Sequence, residues 1–141
     1  MIKILITGHG KISSGILSSV ELIYGVAENL ISIDFTQDIT PEMLEEKIEK
    51  EILSSCEGVL ILTDIAGGTP FKVASILTLK HENVKVIGGM NLPMLLEVLS
   101  ERDYSTTEKL YHFALEIGKE EIKGFELKIR ETSSDDFEDG I

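Results

Sequence analysis

Two nearly uninterrupted apolar runs of strand length, residues 2 to 7 and Val59 to Thr63, most constrain what this chain can fold into. A strand that is apolar at almost every position must be covered on both faces, which is the condition of a central strand in a parallel sheet. Each run leads into a glycine-bearing polar loop: Gly8-His9-Gly10 after the first, and Asp64-Ile65-Ala66-Gly67-Gly68-Thr69-Pro70-Phe71 after the second. Between and after them the apolar period changes to that of helices. Ile12, Ile16, Leu17, Val20, Ile23 and Tyr24 recur at helical spacing up to Gly25, and Thr40-Pro41 opens a helix with Leu44, Ile48 and Ile52 on one face.

Leu30 to Asp34 and Val84 to Ile87 read as two further strands, each with an interior polar residue. Thr69 reads as the N-cap of a third helix with Pro70 at its first position. Residues 88–93 lead into a fourth helix with Met94, Leu95, Val98 and Leu99 apolar. Ser105 with Glu108 resembles a capping box for a last helix carrying Leu110, Phe113, Ala114 and Ile117. Phe125 to Arg130 alternates apolar and charged residues and reads as a half-exposed edge strand.

Alternation of strands and helices predicts an α/β fold: a doubly wound, mainly parallel sheet with right-handed crossovers. The two most apolar strands belong at the centre, giving the order 2-1-3-4, with a C-terminal antiparallel edge strand. In such sheets the ligand crevice opens at the carboxyl ends of the strands where the winding reverses, here between strands one and three. His9 and Asp64 are the residues that leave those two ends.

A chain of 141 residues suits one domain, expected over residues 1–130, followed by an acidic, disordered tail over 131–141 that holds five acids and no base. The net charge of −12 argues against nucleic acid and anionic membrane as partners and favours a basic protein. Without a signal peptide or a membrane-length apolar stretch, a cytoplasmic protein is expected, and the single Cys56 cannot form an internal disulfide.

A neutral imidazole is a good nucleophile toward phosphorus and can both accept and release a phosphoryl group near neutral pH. A carboxylate bonded to one ring nitrogen fixes the tautomer and turns the other nitrogen outward, and Asp64 is placed to do this for His9. Gly67, Gly68, Thr69 and Phe71 lie at a helix start, where backbone N–H groups, a hydroxyl and the macrodipole form a cradle for phosphate. A Walker-type lysine, a dinucleotide fingerprint and a magnesium-carboxylate cluster are all missing, so no cofactor or metal is expected. His81, in a polar turn, and His112, on the last helix, read as ordinary polar residues. Asp34 is expected to cap a loop or support the crevice wall.

Gly8-His9-Gly10, Ile33-Asp34-Phe35, residues 63–71 and Asn91-Leu92-Pro93-Met94, in this order across residues 1–130, resemble the mannose-family EIIA of the bacterial phosphotransferase system. The resemblance implies that Nε2 of His9 takes a phosphoryl group from phospho-HPr and passes it to a sugar-specific EIIB, whose permease partners EIIC and EIID import and phosphorylate the sugar. It implies further that Asp64 holds Nδ1, that the Thr69 hydroxyl lines the pocket, and that a homodimer exchanges its final strand. A separate EIIB is expected, and the wording of residues 64–71 resembles members handling N-acetylgalactosamine. Two readings compete. The EIIA-like phosphotransferase subunit of a dihydroxyacetone kinase would donate to a kinase, and a non-catalytic regulatory or ligand-binding module would not be phosphorylated. A response-regulator receiver would need an acidic pair where this chain has Thr7-Gly8-His9-Gly10.

Overall fold

The computed structural model describes residues 1–127. Four parallel strands, β1 (Lys3–His9), β2 (Leu30–Phe35), β3 (Val59–Thr63) and β4 (Val84–Gly88), form a sheet of order β2-β1-β3-β4. The crossovers are helices α1 (Ile12–Ile23), α2 (Pro41–Leu53) and α3 (Thr69–Thr78). After β4 come α4 (Leu92–Glu101), a short 3-10 turn (Arg102–Tyr104) and α5 (Thr107–Glu120). The order is the one that the apolarity of the strands predicts, and β3 is buried at every position.

Side chains alternate across the sheet and divide the core in two. Ile4, Ile6, Leu60, Leu62 and Ile87 pack with Val20 of α1, Leu95, Val98 and Leu99 of α4, and Leu110 and Ala114 of α5. Leu5, Ile33, Val59, Ile61 and Val84 face the other way, onto Leu44, Ile48 and Ile52 of α2 and Val73, Ala74 and Leu77 of α3. Helices therefore cover both faces of the sheet. Burying each of these leucines or isoleucines contributes about 1.5–3 kcal/mol relative to leaving it in water.

Two local expectations change in the structure. Gly68 rather than Thr69 is the N-cap of α3, and Thr69 is the first residue of the helix. Thr106 rather than Ser105 caps α5, its hydroxyl accepting from the Lys109 N–H at 3.2 Å, while Ser105 Oγ turns to the Thr106 carbonyl. Residues 122–127 take no regular secondary structure in the single chain, where an edge strand exchanged between two copies would have no partner to pair with. The rest of that expected edge strand, and the acidic stretch 131–141, lie outside the described residues. Among the described residues no helix is long and apolar enough to cross a membrane.

Candidate functional site

β1 and β3 end side by side, with Thr7 in register with Thr63, so the next residues of both strands emerge at one edge of the sheet. There the imidazole of His9 meets the carboxylate of Asp64, with Nδ1 to Oδ2 at 2.8 Å. The same oxygen accepts the backbone N–H of His9 at 2.9 Å, and Oδ1 accepts the N–H of Ile65 at 2.9 Å. Burial pushes the Asp64 carboxyl up, but these hydrogen bonds and the neighbouring His9 ring outweigh it and hold the group below the usual aspartate range. Asp64 is therefore an anion at neutral pH and acts only as an acceptor, so Nδ1 carries the proton and Nε2 carries the lone pair. The Asp64 side chain is 10% exposed and that of His9 is 47% exposed, an oriented base beneath an open reacting ring.

Two glycines make this approach possible. A Cβ on Gly8 would lie 2.9 Å from Asp64 Cγ and 2.5 Å from Ile12 Cγ2, so a side chain there would displace the carboxylate from β1. A Cβ on Gly68 would lie 2.8 Å from His9 Cε1, which places the start of α3 directly against the imidazole. Of the residues read from the sequence, His9, Asp64 and Gly68 are thus brought together. Gly67 is exposed in the same loop, and Thr69 and Phe71 belong to the first turn of α3.

That turn is open to an anion. No side chain caps α3, and Pro70 has no N–H, so the first-turn donors are the amides of Thr69 and Phe71. The helix ladder begins only with Lys72 N–H to the Gly68 carbonyl at 2.9 Å. Phe71 thus offers its backbone, while its carbonyl accepts from Ser75 Oγ at 2.7 Å.

β2 adds Phe35, for which the residue pattern predicted no contact with the site, and Asp34, which caps the start of α1 beside the crevice in keeping with the supporting role expected of it. The Phe35 ring meets the His9 ring edge to face, with centroids 6.1 Å apart and planes at 74°, and its carbonyl accepts the Gly10 N–H at 2.8 Å. Asp34 accepts from Ser13 Oγ at 2.6 Å, Ser14 Oγ at 2.7 Å and Ser14 N–H at 3.0 Å, which fastens the first turn of α1 to the sheet. Only their place at the end of a strand beside β1 could have indicated either role. His81 pairs with Glu49 at 2.6 Å and His112 with Glu108 at 3.2 Å, as ordinary polar residues do. Cys56 is exposed. Among the described residues no group of three or more His, Cys, Asp or Glu side chains could hold a metal ion.

The chain is of the class of doubly wound α/β domains, here with a carboxylate-held histidine at the switch point, and known proteins share its sequence pattern and its fold. Residues 3–115 match the family described as the PTS system fructose IIA component, the EIIA-man type. The mannose-specific EIIAB component of Escherichia coli K12 is 37% identical over 130 residues; the match covers 90% of this chain and 40% of that protein. The sorbose-specific EIIA component of Lacticaseibacillus casei is 31% identical over 135 residues, covering 95% of this chain and 98% of the relative. The crystal structure of an EIIA component from Streptococcus agalactiae superposes with a TM-score of 0.85 at 35% identity, covering 89% of this chain and 98% of that one. The chain belongs to the mannose-type EIIA family of the sugar phosphotransferase system.

Proposed function

We propose that this EIIA component carries a phosphoryl group on Nε2 of His9, taking it from phospho-HPr and giving it to a sugar-specific EIIB during coupled uptake and phosphorylation of a sugar. The observation that carries the reading is the Asp64 carboxylate on Nδ1 of a half-exposed His9, which leaves Nε2 as the nucleophile. The Nε2 lone pair forms a new N–P bond as the N–P bond of phospho-HPr breaks, and the leaving electron pair returns to the donor's ring nitrogen. The Nδ1 proton stays on His9, and the Asp64 carboxylate that accepts it balances the positive charge that the ring acquires in transfer. Transfer to EIIB runs the same exchange in the opposite sense.

In such a transfer the protein's task is to position the reactants and stabilise a loose, metaphosphate-like group. Gly67, Gly68, Thr69 and Phe71 supply the phosphate cradle, through backbone N–H groups and the Thr69 hydroxyl at the amino end of α3. The open setting of His9 suits donors and acceptors that are themselves proteins. The EIIA domain spans residues 1–130 and works in the cytoplasm as a homodimer. Among the described residues no strand pairs with the outer edge of β4, which supports a second copy as a neighbour. Relatives are described as specific for mannose and for sorbose, so the sugar is a mannose-family hexose, with N-acetylgalactosamine a candidate from the wording of residues 64–71.

The test is the intact mass of the protein after incubation with phosphoenolpyruvate, enzyme I and HPr. A single acid-labile gain of about 80 Da, lost in His9→Ala, is expected. Labelling that persists in the folded variant contradicts the assignment to His9.

A further inference from the structure

Two helices begin at this crevice, and their amino ends are treated differently. α1 has no cap of its own: Lys11 stands at the N-cap position and makes no side-chain cap bond. Its third amide, the Ser14 N–H, is bonded instead by the Asp34 carboxylate from the neighbouring strand, which also takes both serine hydroxyls. α3 begins at Gly68 with no side-chain cap. One positive helix end is therefore filled by a fixed negative charge and the other is left open.

We propose that Asp34 is a positioning residue for phosphoryl exchange at His9: it fills the amino end of α1 and so directs the transferred group to the open amino end of α3. The inference rests on the reading of His9 as a phosphoryl carrier. Asp34 is in register with Gly8, and the next residue, Phe35, is in register with His9 and touches its ring, so the carboxylate sits one strand away from the reacting residue. Burial pushes the Asp34 carboxyl up, but the Ser13 and Ser14 hydrogen bonds, with Lys11 nearby, outweigh it and keep the group ionised at neutral pH.

Two consequences follow for the exchange. Because Asp34 takes the third amide and both serine hydroxyls of the first turn of α1 and sets a negative charge there, that helix end is less favourable to a second anion than the uncapped end of α3. A fixed negative charge also raises the free energy of a phosphoryl group bearing about −1.5 to −2 charge, which keeps the carrier ready to release it. Asp34 thus trades affinity for the phosphoryl group against transfer, as a relay between two partners requires.

The experiment is the equilibrium constant of phospho-HPr + EIIA ⇌ HPr + phospho-EIIA, measured from both directions for wild type, Asp34→Asn, Asp34→Ser and Asp34→Glu. Folding is checked by circular dichroism. Asp34→Asn is close in shape, and Asp34→Ser supplies a short hydroxyl acceptor should the amide not be tolerated. Both neutral variants are expected to shift the constant roughly three- to tenfold toward phospho-EIIA, while Asp34→Glu stays near wild type. A purely structural role would slow both directions alike and leave the constant unchanged, so folded neutral variants with the wild-type constant overturn the inference alone. A wild-type protein that takes no phosphoryl group from HPr overturns the carrier reading, and this inference with it.

Discussion

At the scale of single residues the site depends on how closely Asp64, Gly68 and His9 are packed. Gly68 has an extended backbone that any residue could adopt, so its requirement is steric: an added methyl meets His9 Cε1 at 2.8 Å. Gly68→Ala is expected to fold normally and to lose roughly tenfold or more in transfer rate, because small misplacements of a reacting atom are costly. Rapid-quench transfer assays check this, and a wild-type rate in a folded variant counts against close packing of cradle and ring. The Asp64 carboxyl is held low, so the native state binds its proton less readily than the unfolded chain does. Its contribution to stability is complete above the unfolded value of about pH 4 and is lost as pH falls through the native pKa. Urea melts of Asp64→Asn should therefore show a flatter fall in stability below about pH 4 than wild type; identical slopes would mean that the hydrogen bonds to Asp64 contribute nothing. His9 and Asp64 were legible in sequence because each follows a strand-length apolar run. Asp34 and Phe35 were less so, since their partners lie across the sheet rather than at a periodic spacing.

At the scale of elements, the helices and strands follow from patterns that few neighbours can override, and the departures occur at helix starts. Thr69-Pro70 invites placement of the N-cap on threonine, yet glycine also serves at that position, and the chain turns one residue earlier. Thr106 displaces Ser105 for a similar reason: both are competent caps, and the hydroxyl that reaches the third amide defines the start. The junction after α4 holds a device that helical periodicity does not announce. Arg102 is 4% exposed and donates to the carbonyls of Ile2, Asn29 and Glu28, tying the end of α4 to the amino ends of β1 and β2. Arg102→Leu should leave those carbonyls without their charged donor and cost about 3 kcal/mol, read as a lower urea midpoint with an unchanged slope. A midpoint like that of wild type would show that water replaces the guanidinium at no cost.

For the whole molecule, the strand order places chemistry before any side chain is considered. With β1 and β3 central and helices on both faces, the loops after these strands open at the reversal of winding, where parallel sheets keep their ligands. Apolar patterning alone was enough to locate that crevice. The character of the crevice, an open histidine with one nitrogen committed, needed distances. The central claim is that Asp64 holds Nδ1 and leaves Nε2 to carry the phosphoryl group. The most direct test is 15N and 31P NMR of the 15N-histidine-labelled protein after phosphorylation by phospho-HPr, which reads the bonded nitrogen from its phosphorus coupling. The account predicts phosphorus on Nε2 of His9 with Nδ1 still protonated; phosphorus on Nδ1, or on His81 or His112, would contradict it.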